Sequence, residues 1–218
     1  MPETLTHKAR TRWTRGFTLI EMLAVIAIVT VITGVTIVNK KSFNDSVTLT
    51  NLAYDVALTI REAQVYGTAV RSSLNGATVT FTNGYGVNFD EVSQNALITQ
   101  YRFFIDGSGG PQNLQYDSGE TELKRYTLAP GYSFFFCIGD NVSWPLCSNT
   151  ASNGTQKISI VFKRPDPDAN FTIDTGGQPA VPNLNRIRIT VVAPNGNQRE
   201  VAVYKNGQIV VCRPTIGC

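Results

Sequence analysis

A single carboxylate inside a long apolar run limits what this chain can become. The run covers 17–38, 22 residues, and Glu21 is the one charge in it. Arg15 and Gly16 stand directly before it. Inserting an acid at a bilayer centre costs about 2.5–3.5 kcal/mol, less near an end. An intramembrane acid is therefore a functional residue by default, and it calls for a cationic partner. As a helix the run would extend roughly 33 Å, enough to cross a bilayer core. Lys8, Arg10, Arg12 and Arg15 flank its front against only Glu3, while Lys40 and Lys41 follow it. The positive-inside rule places the front in the cytoplasm and the bulk of the chain outside. An ordinary cleaved secretory signal predicts a shorter apolar core followed by a small-residue cleavage site. Here Val38-Asn39-Lys40-Lys41 follows instead. A plain signal-anchor explains the span but neither Gly16 nor Glu21.

The formal net charge is +3, but the surplus is concentrated at the front. Residues 1–16 hold four of the nineteen basic residues and one of the sixteen acidic ones, so fifteen of each remain beyond them. A chain neutral at its side chains gives no electrostatic support for nucleic-acid binding, which needs a basic surplus. His7 is the only histidine and lies in that front segment. Ser-His-Asp and Cys-His catalysis, and the common histidine-bearing zinc sites, are thereby removed from 17–218. No P-loop or G-x-G-x-x-G fingerprint is present. Gly107-Ser108-Gly109-Gly110 lacks the Lys-Ser/Thr ending and reads as a turn. The expectation is a protein that is not an enzyme, with no cofactor and no small-molecule substrate.

The stretch Arg15-Gly16-Phe17-Thr18-Leu19-Ile20-Glu21 and the apolar residues after it resemble the N-terminus of type IV pilins and type II secretion pseudopilins. The resemblance implies cleavage by a membrane prepilin peptidase between Gly16 and Phe17 and N-methylation of Phe17. It implies that Glu21 meets the N-terminal amine of a neighbouring subunit during filament assembly. The partners are then other pilin or pseudopilin subunits, the peptidase and the membrane. The location is the cytoplasmic membrane with the head outside, then a pilus or pseudopilus filament. A second stretch, 51–71, carries Arg61-Glu62-Ala63, Gly67 and Val70 in an R-E-A-x-x-x-G-x-x-V pattern. It is similar to the end of the long helix in H-type pseudopilins and related minor pilins, which favours a minor subunit. Many members carry a proline a little over twenty residues past the cleavage point. This chain has none between Pro2 and Pro111, and Gly34 is the only weak helix point in the run.

The expected architecture is α+β, a long helix packed on an antiparallel β-sheet head. Four parts follow: a cytoplasmic leader 1–16, a transmembrane or filament-core helix 17–38, an amphipathic continuation 39–71, and an extracytoplasmic β-rich head 72–218. In the continuation Leu49, Leu52, Val56, Ile60 and Ala63 recur at 3-4-4-3 spacing, one apolar stripe. Strands are expected at 77–82, 87–89, 97–105, 123–128, 132–138, 157–164, 186–192, 200–204 and 208–212, with Gly84-Tyr85-Gly86 marking a turn or bulge. Asn195-Gly196 and Asn206-Gly207 are hairpin signals, so the last three strands should form an antiparallel meander. Phe134, Phe135 and Phe136 read as strand core.

Cys137, Cys147, Cys212 and Cys218 all fall outside the membrane on this topology, where disulfides form. Three pairings exist; short loops favour 137–147 with 212–218. The C-x9-C and C-x5-C spacings do not suit a zinc knuckle. Asp166, Asp168 and Asn170 copy the D-x-D-x-N opening of an EF-hand loop, but Phe171 and Gly177 occupy its obligatory glycine and glutamate positions. A looser calcium site that adds Asp174 is the remaining metal candidate, set against a plain solvated hairpin loop.

Overall fold

The computed structural model describes residues 16–69, 71–75, 78–90, 98–110, 112–139, 146–147, 157–174 and 184–213. The fold is α+β. Its helix, α1, covers Leu19–Thr68 and runs through Gly34 without a break. Two compact units divide the chain, Met1–Phe43 and Asn44–Cys218.

In the first unit α1 is an isolated apolar rod. The side chains of 19–37 are all exposed, and this segment is long and apolar enough to cross a membrane, with a mean hydropathy of 2.4.

The second unit builds a core on the remainder of α1. The helix buries Leu49, Ala53, Val56, Ala57, Ile60 and Ala63, with Leu52 packed partly against them. The stripe predicted from the sequence is therefore present, shifted slightly because Ala53 and Ala57 share the inward face. Small residues at these positions let strands approach the helix closely.

Two five-stranded sheets enclose that stripe, and all their pairings are antiparallel. A two-stranded hairpin, β1 (Ser73–Asn75) with β2 (Thr78–Thr80), precedes them. One sheet uses β3 (Gly84–Asp90), β4 (Gln100–Asp106), β5 (Thr121–Thr127), β8 (Lys157–Lys163) and β9 (Asp166–Asp174) in the order β5-β4-β3-β8-β9. The other uses β6 (Ser133–Gly139), β7 (Leu146–Cys147), β10 (Arg186–Val192), β11 (Gln198–Tyr204) and β12 (Ile209–Cys212) in the order β12-β11-β10-β6-β7. The meander β10-β11-β12 is present, with Gly196 and Gly207 at positive φ in its two turns. The three phenylalanines divide by strand alternation. Phe134 and Phe136 are buried, and Phe135 on the opposite face is half-buried.

Two expectations are corrected. Gly84-Tyr85-Gly86 is neither turn nor bulge but the start of β3. A Cβ at Gly86 would lie 2.7 Å from Val161 Cγ2 and 2.8 Å from the Ile160 carbonyl oxygen, so glycine is required by crowding inside the sheet. The stretch after Lys163 is not a solvated loop either. From Asp166 onward it is strand β9, paired to β8 and tied to the opposite sheet by Ala169 N–H donating to Lys205 O at 2.8 Å. The sequence signal was weak because Pro167, Asp166 and Asp168 are poor strand formers, tolerated on an edge.

Gln64 locks helix to sheets. Its Nε2 donates to Pro167 O and to Gly207 O, both at 3.0 Å, so one amide bridges an edge of each sheet. Three residues on, a Cβ at Gly67 would collide with the Phe162 carbonyl group. Gly67 therefore marks where the helix end lies against β8. Replacing Gln64 by methionine keeps the volume but strands two carbonyls. The expected cost is about 1–3 kcal/mol, read as a lowered urea midpoint of the head with an unchanged slope. Gly67→Ala should destabilise the head as well, because the obstruction is backbone.

Candidate functional site

The N-terminal motif is built as a helix start. Gly16, Phe17 and Thr18 lie outside the helix and are exposed, Phe17 by 74%. The Gly16–Phe17 bond thus sits in accessible, non-helical chain. Thr18 is the N-cap. Its Oγ1 accepts from Glu21 N–H at 3.3 Å, while Glu21 Oε2 accepts from Thr18 N–H and Thr18 Oγ1–H, each at 3.4 Å. This is a reciprocal capping box, the T-x-x-E pattern, which satisfies amide donors left over at a helix start. The sequence carried that signal in Thr18 and Glu21, and reading Glu21 only as a charge in search of a partner missed it. The same box explains why the helix begins at Leu19 and not at Phe17.

Glu21 therefore has a local role, but a partial one. Both contacts from Thr18 go to Oε2 and both are long. Oε1 takes no hydrogen bond from the described residues. A carboxylate in the first helical turn is favoured by the helix dipole, yet it retains capacity for one strong cationic donor. Around it Leu19, Ile20, Met22 and Leu23 are all exposed and have no covering surface within the unit.

The cysteines lie elsewhere. Cys137 on β6 and Cys147 on β7 are joined by a disulfide across a directly opposed strand pair. Cys212, at the end of β12, is also disulfide-bonded, and Cys218 lies outside the described residues. Asp166, Asp168, Asn170 and Asp174 are spread along β9, whose nine residues extend roughly 30 Å at strand spacing. The Asn170 amide donates to Val161 O at 3.3 Å. Among the described residues no three acidic, histidine or cysteine side chains converge as a metal site.

A buried carboxylate pair that the sequence did not single out holds the loop 107–120. Glu120 Oε1 accepts from Gly107 N–H at 2.5 Å and Oε2 from Asp117 N–H at 3.1 Å. Asp106 Oδ1 accepts from Leu114 N–H at 3.3 Å, and its Oδ2 is buried with no partner. Burial raises both carboxyls above their ordinary range, against the lowering by those backbone donors. An acid raised by folding adds stability below its ordinary value, 3.8 for Asp106, and that contribution fades as pH rises through the higher folded value. This pair acts as a loop clasp, with Lys163 close enough to lower the Asp106 carboxyl somewhat.

Residues 14–37 match the family model described as the prokaryotic N-terminal methylation motif. The chain accordingly has a type IV pilin-like prepilin N-terminus, with a single apolar anchor helix at that end. No curated protein and no solved structure shows significant similarity to the chain.

Two outcomes are expected. Thr18→Ala removes the cap hydroxyl and should cost about 1 kcal/mol at the helix start, seen as faster amide exchange over 19–22 in micelles. Asp106→Asn should raise head stability at neutral pH and flatten its fall as pH rises above 3.8, the ordinary value of this carboxyl, measured by urea unfolding from acid to neutral pH.

Proposed function

We propose that the chain is a minor pilin or pseudopilin, a structural subunit and not an enzyme. In this reading it waits in the cytoplasmic membrane with its head outside. Prepilin peptidase cuts between Gly16 and Phe17 and methylates the new amine of Phe17. The segment 17–38 then leaves lipid for the core of a type IV pilus or type II secretion pseudopilus, where the side chains of the apolar rod are covered by equivalent helices. The observation that carries the proposal is Glu21. Its Oε1, without a hydrogen bond from the described residues, stands at an exposed helix start, four residues from the bond whose cleavage would create an amine. In low dielectric a carboxylate and an ammonium of neighbouring subunits neutralise each other, and each removes the other's desolvation cost. Small-residue packing against Phe162 through Gly67, within the R-E-A-x-x-x-G-x-x-V stretch, supports the minor-subunit assignment.

A signal-anchored binding module that never polymerises is the competing reading, supported by the self-contained capping box. The two separate cleanly with Glu21→Gln. Glutamine still closes a capping box but carries no charge. Polymerisation predicts normal membrane insertion with incorporation into sheared filaments down by about tenfold or more, the equivalent of about 1.4 kcal/mol. An anchored module predicts no change in either fraction. Gly16→Ala tests the processing step: the uncleaved chain should remain in the membrane and be missing from filaments. Normal incorporation of uncleaved protein would refute the proposal.

A further inference from the structure

The four edges of the two five-stranded sheets are not treated alike. Edge strand β5 carries Glu122, Lys124 and Arg125 and a register shift opposite Phe103/Phe104. Edge strand β9 opens with Asp166-Pro167-Asp168, and β7 has only two residues. Charges, proline, irregular register and shortness are the usual defences of an edge against pairing. Edge strand β12 has four residues but no charge, proline or register shift; it reads Ile209-Val210-Val211-Cys212.

Its main chain is also open. The turn bonds Tyr204 N–H to Gln208 O and Gly207 N–H to Tyr204 O set the alternation of the β11–β12 ladder. In that alternation Val210 bonds back to Ala202, while Ile209 and Val211 turn their N–H and C=O groups away from β11. These groups have no partner among the described residues. They face a groove of about 590 Å³ whose other wall is α1, where Tyr54 and Leu58 are 53% and 65% exposed. The sheet therefore stops one strand short of covering the flank of its own helix. Ile209 and Val211 point to the core side, opposite Val203 and Val201, so an added strand would continue the same apolar row.

Charge states what kind of strand fits. Arg61 stands beside Gln208 at one end of the groove, bonded to Gln64 Oε1 and, among the described residues, to no carboxylate. Arg213, exposed, follows β12 in the chain and lines a neighbouring hollow with Ser46 and Leu49. We infer that β12 and the adjacent flank of α1 form a β-augmentation site for an extended segment of a different polypeptide, apolar at alternate positions and carboxylate-bearing at its ends. Main-chain bonding to Ile209 and Val211 supplies affinity, and the row beside Tyr54 and Leu58 supplies selectivity. The inference is independent of whether the chain polymerises.

The test uses the full chain in detergent micelles and the blocked peptide acetyl-Glu-Thr-Val-Thr-Val-Thr-Glu-amide, followed by amide hydrogen exchange. At a peptide concentration about ten times the dissociation constant, exchange at Ile209 and Val211 should slow about tenfold. The peptide N-methylated at alternate amides should give no protection. Val211→Pro removes an outward donor without taking a bond from the β11 ladder; it should lose the peptide, with the thermal midpoint lowered only by the lost core-side packing of Val211. Arg61→Glu should exchange the preference to a lysine-ended peptide, which covers the case in which the proline variant does not fold. Protection by the N-methylated peptide, unchanged binding to Val211→Pro, or no protection at millimolar peptide overturns the site. Protection of the same two amides by self-association without peptide would put a second copy there and overturn the stated occupant.

Discussion

Everything in the head rests on one stripe of α1. Leu49, Ala53, Val56, Ile60 and Ala63 are the surface over which two sheets close, and neither sheet has another helix to cover its inner face among the described residues. Fully burying a Leu, Val or Ile side chain contributes about 1.5–3 kcal/mol, and the inward residues of β3, β4, β8, β10 and β11 depend on the same contact. Apolar burial is non-directional, however. It holds the sheets against the helix without fixing their height along it. Gln64, reaching a carbonyl of each sheet edge, and Gly67, against the backbone of β8, supply that alignment.

The two units obey opposite rules for the same helix. In the head, one face is apolar and buried, and Asp55, Arg61 and Glu62 dress the outer side beside the exposed flank of Tyr54 and Leu58. Over 19–37 the apolar residues point in every direction, and a fitting cover for them is lipid or other helices. Glu21 belongs to the second regime. The capping box lowers the cost of its insertion by placing part of the charge on Thr18 and on the dipole of the helix start, while leaving one oxygen without a hydrogen bond from the described residues. A charge partly settled in the chain and partly open is suited to a step that occurs after insertion.

The head manages its polar groups in a similar divided way. Glu120 is tied to Gly107 and Asp117, so its burial is compensated. Asp106 is compensated on one oxygen only. The edges likewise divide into three that resist pairing and one that invites it. In both cases the exceptions are confined to the periphery of the core, at a loop and at a sheet edge, where the cohesion of the stripe is not at risk.

Much of this was legible from the residues alone, because it depends on local patterning. Helix period gave the stripe, Asn-Gly pairs placed the turns of β10-β11-β12, and the carboxylate in the apolar run marked the N-terminal motif that residues 14–37 match. What was not legible depends on which distant segments meet. Glycines 84 and 86 read as a turn until Val161, from a strand more than seventy positions away, is seen to need their missing side chains. The strand β9 is hidden by its own proline and acids, and only pairing with β8 makes it one. Gln64 has no signal in the sequence, since its meaning lies in two carbonyls 103 and 143 residues away. Local periodicity is written residue by residue, but crowding, edge status and polar bridging exist only once the chain has closed on itself, and tertiary structure alone decided them.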